Sequence, residues 1–329
     1  VCLSAGQQIR FLHSGLTSRS KRRRAGRHRW KEQPADSLLI KLRYRLGSWG
    51  ADTLIKMIAL DLDGTLAMAN HAVSPATREA LKALHEDGVE VVIATGRRYR
   101  TTRFVIDNLG FEVYAVCNGG ALVKDAKQAT LHTERFCAAD LAATARDAGL
   151  TLFAQRDAHD LGGADFIIDN RSPWNEMTRQ HQARNTEWCE AADLSLCEPE
   201  FMVAGSFGTL AECRQLAGAI EDALPGQYNS IIVPYQDSDG YYCEIAQRHV
   251  DKWHGLSKLM QHFAIDADQV CAVGDELNDV PMIQSAGHGV AMGNGNAELK
   301  ALARFVCGNN DADGIVDVVR YIRDFNDNL

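Results

Sequence analysis

Asp61 and Asp63 stand two residues apart where an apolar run, Met-Ile-Ala-Leu, meets Asp-Leu-Asp-Gly-Thr-Leu at residues 57–66. Side chains alternate along an extended chain, so both carboxylates leave it on the same side. Such a pair repels unless a cation or a shared proton separates it. Alone, Asp-x-Asp-Gly is an ordinary turn after a strand. Three later clusters change that reading: Thr95-Gly96-Arg97, Lys252, and Gly274-Asp275-Glu276-Leu277-Asn278-Asp279. Three aspartates at strand ends offer only oxygen, a hard-cation site suited to Mg2+ held by one or two carboxylates, waters and a substrate phosphate. The Thr95 hydroxyl and the N–H groups around Gly96, near a helix start, form an anion cradle. Lys252 adds a fixed positive charge. Cation, cradle and lysine together describe phosphoryl transfer. Singly, the lysine reads as surface charge, Asn278 as a helix cap and Asn118 as a turn residue. Their order along the chain decides the matter.

The elements that must position these residues alternate. Residues 57–60, 89–94 and 113–117 are short apolar runs that read as strands. Between them lie a helix opened by Ser74-Pro75 and ended by Gly88, and a second helix from Arg97 to about Leu109. Strand–helix alternation with short loops is the pattern of a doubly wound parallel sheet, in which ligands bind at the carboxyl edge. The pattern changes after Glu134. Residues 210–224 read as an amphipathic helix, and 228–234 and 241–246 as a hairpin around 236–240. Residues 171–199 give no clean period. Alternation returns with a helix over 252–263 and a strand over 270–273. The expected architecture is an α/β, Rossmann-like core of residues 57–134 and 248–329, with an inserted α+β cap over 135–247.

Charge divides the chain. Residues 1–56 carry 13 Lys+Arg against 3 Asp+Glu, and the rest 22 against 40. The polybasic stretch 20–29 has no apolar period, as in disordered tails. The extension reads as sequence from upstream of a start at Met57. A transit peptide or a nucleic-acid-binding arm would also fit its charge; a short helix is expected at 38–45. The acidic remainder argues against nucleic acid as partner of the folded part. No apolar run approaches a membrane span. Nine cysteines contain no Cys-x-x-Cys, so the sequence indicates neither a zinc site nor a redox pair. Reduced core cysteines point to a cytoplasmic protein, as monomer or homodimer.

In order, Asp61-Leu-Asp-Gly-Thr-Leu66, Ala94-Thr-Gly-Arg97, Lys252 and Gly274-Asp-Glu-Leu-Asn-Asp279 resemble the four motifs of the haloacid dehalogenase-like hydrolase superfamily. The resemblance is nearest to its Cof-type sugar-phosphatase branch, with the cap between the second and third motifs. Asn118-Gly119 and the tail Gly289–Asn294, Asn310 and Asp313-Gly314 follow the same pattern. One departure stands out: the family lysine is usually followed by glycine, and here Trp253 follows it. The resemblance implies that Asp61 attacks phosphorus and Asp63 acts as acid, then base. It implies that Thr95, Gly96, Arg97, Asn118, Gly119, Lys252 and Asn278 hold the phosphate or substrate. Asp61, Asp63 (through its carbonyl), Asp275 and Asp279 would surround Mg2+. The substrate would be a small phosphate ester, a sugar phosphate first, chosen by residues 156–188 and the 237–240 loop. A phosphomutase, and a flavin or pyridoxal phosphate phosphatase, are alternatives within this chemistry. A binding protein without turnover, or a dinucleotide loop at Gly287 or Gly293, fits less of the sequence.

Overall fold

The computed structural model describes residues 53–68, 71–159, 162–235 and 239–329. The polybasic stretch, the expected helix at 38–45 and hairpin residues 236–238 lie outside them. In chain order the strands are β1 (Met57–Leu60), β2 (Glu90–Ala94), β3 (Tyr114–Cys117), β4 (Leu122–Lys124) and β5 (Thr130–Thr133), then β6 (Phe153–Gln155), β7 (Phe166–Asp169), β8 (Cys189–Ala192), β9 (Val203–Gly208), β10 (Tyr228–Pro234) and β11 (Tyr241–Gln247), then β12 (Val270–Gly274), β13 (His288–Ala291) and β14 (Phe305–Val306). The helices are α1 (Pro75–Glu86), α2 (Tyr99–Asp107), α3 (Ala139–Asp147), α4 (Glu176–Arg184), α5 (Leu210–Ala223), α6 (Lys252–Phe263), α7 (Val280–Ser285), α8 (Ala297–Leu302) and α9 (Gly314–Asp327).

The first sheet has eight strands in the order β14-β13-β12-β1-β2-β3-β4-β5. All pairs from β14 to β3 are parallel. Its central strands are apolar on both sides because helices cover both faces. Ile58, Leu60, Val91 and Ile93 pack with Leu81 and Leu84 of α1 and Ile315, Val318 and Ile322 of α9. Their neighbours Met57, Ala59, Val92 and Ala94 face Leu256 and Leu259 of α6 and Met282 of α7. Ser74 caps α1 as the sequence indicates, accepting from Thr77 N at 3.0 Å with Pro75 in the first turn. The antiparallel hairpin β4–β5 extends this sheet and has no counterpart in the sequence reading. Its outer strand is half exposed and polar, Thr-Leu-His-Thr, so no apolar period marks it.

The second sheet, β10-β11-β9-β6-β7-β8, belongs to the inserted cap and is antiparallel except between β7 and β8. Helices α3 and α5 cover one face through Leu141, Ala145, Leu216 and Ile220. The aperiodic stretch 171–199 contains α4 and β8. Helix α4, capped by Asn175, buries only Thr178 and His181, too little to give an apolar stripe. The cap is held on the core by ion pairs. Asp165 takes Arg98 at 3.0 Å and Arg100 at 2.7 Å, and Lys124 reaches Asp157 at 2.7 Å. Arg100 also lies over the Trp188 ring and Arg98 over Phe166, each at 3.8 Å.

The fold begins earlier than Met57. Ile55 is buried in the α1/α9 face of the core. Its N–H donates to Asn326 Oδ1 at 2.8 Å and its carbonyl accepts from Asn326 Nδ2 at 3.0 Å. Lys56 bonds across to Gln269 and Glu90. Both residues read as part of the extension because the two-residue apolar step Leu54-Ile55, set between Thr53 and Lys56, is too short to show a period. Ile55→Ala should therefore cost about 2–5 kcal/mol, the usual range for emptying a buried Ile position. Urea unfolding of the variant tests this, and a change below about 1 kcal/mol would show that the core tolerates loss of this anchor.

Candidate active site

Asp61 follows β1 directly and is buried, its backbone N–H bonded to Val273 O at 2.9 Å in the neighbouring strand. Its carboxylate meets Lys252 Nζ at 2.5 Å. Lys252 is the first residue of α6, whose N-cap Asp251 accepts from His254 N at 2.8 Å. The same ammonium donates to Asp279 Oδ1 at 2.6 Å. Asp279 Oδ2 accepts from the backbone N–H of Asp275 at 2.9 Å and of Glu276 at 3.0 Å. Thr65 donates to Asp275 Oδ1 at 3.1 Å. Carboxylate oxygens of Asp61, Asp275 and Asp279 lie within 4.8 Å of one another, all three residues buried. The motifs at the ends of β1 and β12 and the start of α6 thus converge at the carboxyl edge of the sheet.

Burial dominates the electrostatics. It raises Asp61 well above the carboxylate range, against the pull of Lys252, and the charges of Asp279 and Asp275 push the same way. Burial, then the charge on Asp279, lifts Asp275 to about 7. Burial opposes the charge on Lys252, but Asp279 and Asp61 together hold it upward. The site is short of positive charge. Its donors are hard oxygens, so they fit a small divalent cation. Asp61 and Asp275 each have oxygen left to give, whereas both oxygens of Asp279 are already engaged.

Two glycines and a tryptophan set the spacing. Gly64 has φ +80°, and a Cβ there would lie 2.2 Å from Asp275 Oδ2. A Cβ on Gly255 would lie 2.4 Å from Val116 Cγ1, so this glycine lets α6 rest against β3. Trp253 is partly buried and packs against the apolar cluster that includes Leu256 and Leu259.

Thr95, Gly96 and Arg97 follow β2. Thr95 is buried, and its hydroxyl accepts from Arg97 N at 3.1 Å, leaving its own hydrogen to offer. Gly119 N donates to Thr95 O at 3.1 Å and Asn118 N to Arg97 O at 2.9 Å, which laces the ends of β2 and β3 together. Arg97 differs from expectation. Its guanidinium grips Asp63, with Nε 2.7 Å from Oδ2 and Nη2 on Oδ1, instead of standing toward the cradle. A planar fork matched to a carboxylate accounts for this. Asn278 lies exposed on a short turn before α7, next to the buried Asp279.

The cap adds residues that the sequence reading missed. Gln155, at the end of β6, accepts from Asn118 Nδ2 at 3.2 Å. Tyr242 lies flat on Gly205, where a Cβ would meet its ring at 2.2 Å. Two residues along β11, burial pushes the Glu244 carboxyl up. The available signal was alternation: in Tyr-Tyr-Cys-Glu-Ile the buried Cys243 and Ile245 mark one face, and Tyr242 and Glu244 must share the other.

The family model of haloacid dehalogenase-like hydrolases matches residues 58–319. Phosphatase YwpJ of Bacillus subtilis is 25% identical over 291 residues, 82% of this chain and 100% of that protein. Pyridoxal phosphate phosphatase YbhA of Escherichia coli is 28% identical over 278 residues, 80% of this chain and 97% of that one. A haloacid dehalogenase-like hydrolase from Bacteroides thetaiotaomicron shares the fold with TM-score 0.66 at 23% identity, over 81% of this chain and 99% of its own. With its motifs gathered at one sheet edge beneath an inserted cap, the chain belongs to the haloacid dehalogenase-like hydrolases and is a phosphatase among them.

Proposed function

We propose that the protein hydrolyses small, hydroxyl-rich phosphate monoesters, sugar phosphates first, with Mg2+ and through a phosphoryl group carried on Asp61. The observation that carries this reading is the buried Asp61 carboxylate held at 2.5 Å by Lys252, beside Asp275. Asp61 attacks phosphorus while the bond to the leaving oxygen breaks, and Asp63 gives that oxygen its proton. Water then attacks the same phosphorus, Asp63 takes the proton from it, and the bond to Asp61 breaks to free phosphate. Asp63 must leave Arg97 to do this, and Arg97 is then at hand for the phosphoryl group. The Thr95 hydroxyl and the Gly96 backbone N–H donate to non-bridging oxygens, and Lys252 offsets charge on Asp61 and the phosphoryl group. Asp61, Asp275 and the Asp63 carbonyl would hold Mg2+, which when bound would offset further phosphoryl charge. Asp279 acts through Lys252 and the 275–276 backbone. Gln155 and Glu244 offer acceptors to hydroxyl groups on the leaving side.

A second reading, a pyridoxal-type leaving group, draws on the Tyr242 ring beside Glu244 and on the relative of that name. The free, buried thiols fit work in a reducing compartment such as the cytoplasm. No helix of the described residues is long and apolar enough to cross a membrane.

Excess chelator should abolish turnover and Mg2+ restore it, with Ca2+ a poor substitute because its larger, looser shell disturbs in-line geometry. Full activity in chelator would remove Mg2+ from the site. Asp61→Asn should form no phosphoenzyme. Asp63→Asn should release a burst of about one aryl group per enzyme from an aryl phosphate, then turn over on the order of 10²–10⁴-fold more slowly. Phosphate trapped on Asp61→Asn, or wild-type rates in Asp63→Asn, would overturn this division of labour. Glu244→Gln should raise KM for sugar phosphates while leaving kcat for an aryl phosphate within about threefold, an effect of roughly 1 kcal/mol for one hydrogen bond. Equal KM across a panel of phosphate esters would take Glu244 out of substrate recognition.

A further inference from the structure

The chain leaves the core for the cap after β5 and returns just before α6, and both crossings meet at one carboxylate. Glu134 stands one residue beyond β5, and His132 is on the strand itself. His249 and His254 flank the start of α6 from the other crossing. His132 Nε2 lies 2.8 Å from Glu134 Oε1 and His254 Nε2 3.0 Å from the same atom. His249 Nε2 is 3.7 Å from Glu134 Oε2. The donors of His132, Glu134 and His254 all lie within 4.8 Å of one another. The proposed phosphatase chemistry uses none of these four residues.

We propose that His132, Glu134, His249 and His254 form a second metal site, of the zinc class, that ties the two crossings between core and cap. Three imidazoles and one carboxylate are the ligand types of zinc, and differ in kind from the all-oxygen donors at Asp61 and Asp275. Bonds of about 2.0–2.1 Å in a tetrahedron place ligand atoms roughly 3.3 Å apart. The three contacts to Glu134, at 2.8, 3.0 and 3.7 Å, bracket that spacing. The ligands also come prearranged. His132 and Glu134 are two residues apart, so they leave the strand on one side. His254 sits in the first turn of α6, whose start Asp251 fixes. His249 is the most exposed of the four and completes the set from the linker. One group opposes a cation there: Lys258, a turn further along α6, with Nζ 3.9 Å from Glu134 Oε1. Its partly exposed side chain has solvent to move into. The bonds already gather the donors of His132, Glu134 and His254, so a metal would replace protons there, and the exposed His249 ring, 3.7 Å from Glu134, would turn to complete the set.

Such a site would join β5 to the first turn of the helix that begins with Lys252. It would brace the base of the cap without touching substrate, on the two segments that join cap to core.

The test titrates Zn2+ into the full chain in saturating Mg2+, with a competing chromophoric chelator to report affinity and Co2+ to report geometry. The wild-type chain should take up one zinc more than the His132→Gln/His254→Gln double variant. Each single variant should bind that zinc at least 10–100-fold more weakly, the range already seen for loss of groups that only support a ligand. The visible band of four-coordinate Co2+ should vanish in the double variant and survive in Asp275→Asn. Hydrogen exchange at residues 134–136 and 248–251 should slow when zinc is added to the wild type alone. Equal zinc uptake by wild type and the single variants, or a cobalt band lost in Asp275→Asn and kept in the histidine variants, would overturn the proposal. Melting temperatures without zinc establish that each variant is folded, and if the double variant is not, the two singles decide by the same comparison.

Discussion

An ammonium group buried among three carboxylates is the constraint around which the rest of the protein is arranged. Lys252 has no water to fall back on, and an unpaired charge in such a place is strongly destabilising. The fold supplies partners from three distant parts of the chain. Asp61 comes from the central strand, Asp279 from the turn after β12, and Lys252 from the helix after the cap. Asp279 is filled on both oxygens, by the lysine and by two backbone N–H groups, and is therefore rigid. Such closeness allows no spare atoms. A Cβ on Gly274 would lie 2.4 Å from Asp279 Cγ, and one on Gly120 1.8 Å from Asp251 O. The glycines near the motifs thus belong to the charge cluster as much as the charged residues do.

Much of this arrangement is legible in the amino-acid sequence. The alternation of apolar runs with helices requires a parallel sheet, and a parallel sheet sends every strand end with a motif to one edge. Asp61, Thr95, Lys252 and Asp275 are recognisable because each sits where an apolar run stops or a helix starts. The gaps have physical causes. Ile55 follows an exposed Leu54 and is held by Asn326, 271 positions away, and local pattern cannot see that. The β4–β5 hairpin and α4 are polar elements that bury little. Arg97 reads as a phosphate ligand because it follows the cradle, but the bidentate partner that determines its direction lies 34 residues earlier.

The cap is legible as an α+β unit, though its working face is not. A sheet face is announced by alternation only when one side is apolar and the other wet. In β11 alternation separates Tyr242 and Glu244 from the buried Cys243 and Ile245, but their side is partly covered as well and does not read as a working face. What distinguishes Glu244 is a carboxyl raised by burial, a property of the packed cap that the strand's period does not carry.

The segment that opens α2 carries a consequence for how this enzyme can diversify. Arg97 holds Asp63, while Arg98 and Arg100 hold Asp165 of the cap, and Trp188 lies under Arg100. The hold on Asp63 and the docking of the cap are thus written into four consecutive positions of the core. Recombination that exchanges caps at the two crossings would leave those arginines behind, facing a foreign surface. A transplanted cap without an acidic residue at the place of Asp165 would leave two guanidinium groups together without their counterion, beside the one that restrains Asp63. The cap is modular in sequence, but its foothold is owned by the core, and lineages that exchange caps must carry this one carboxylate with them.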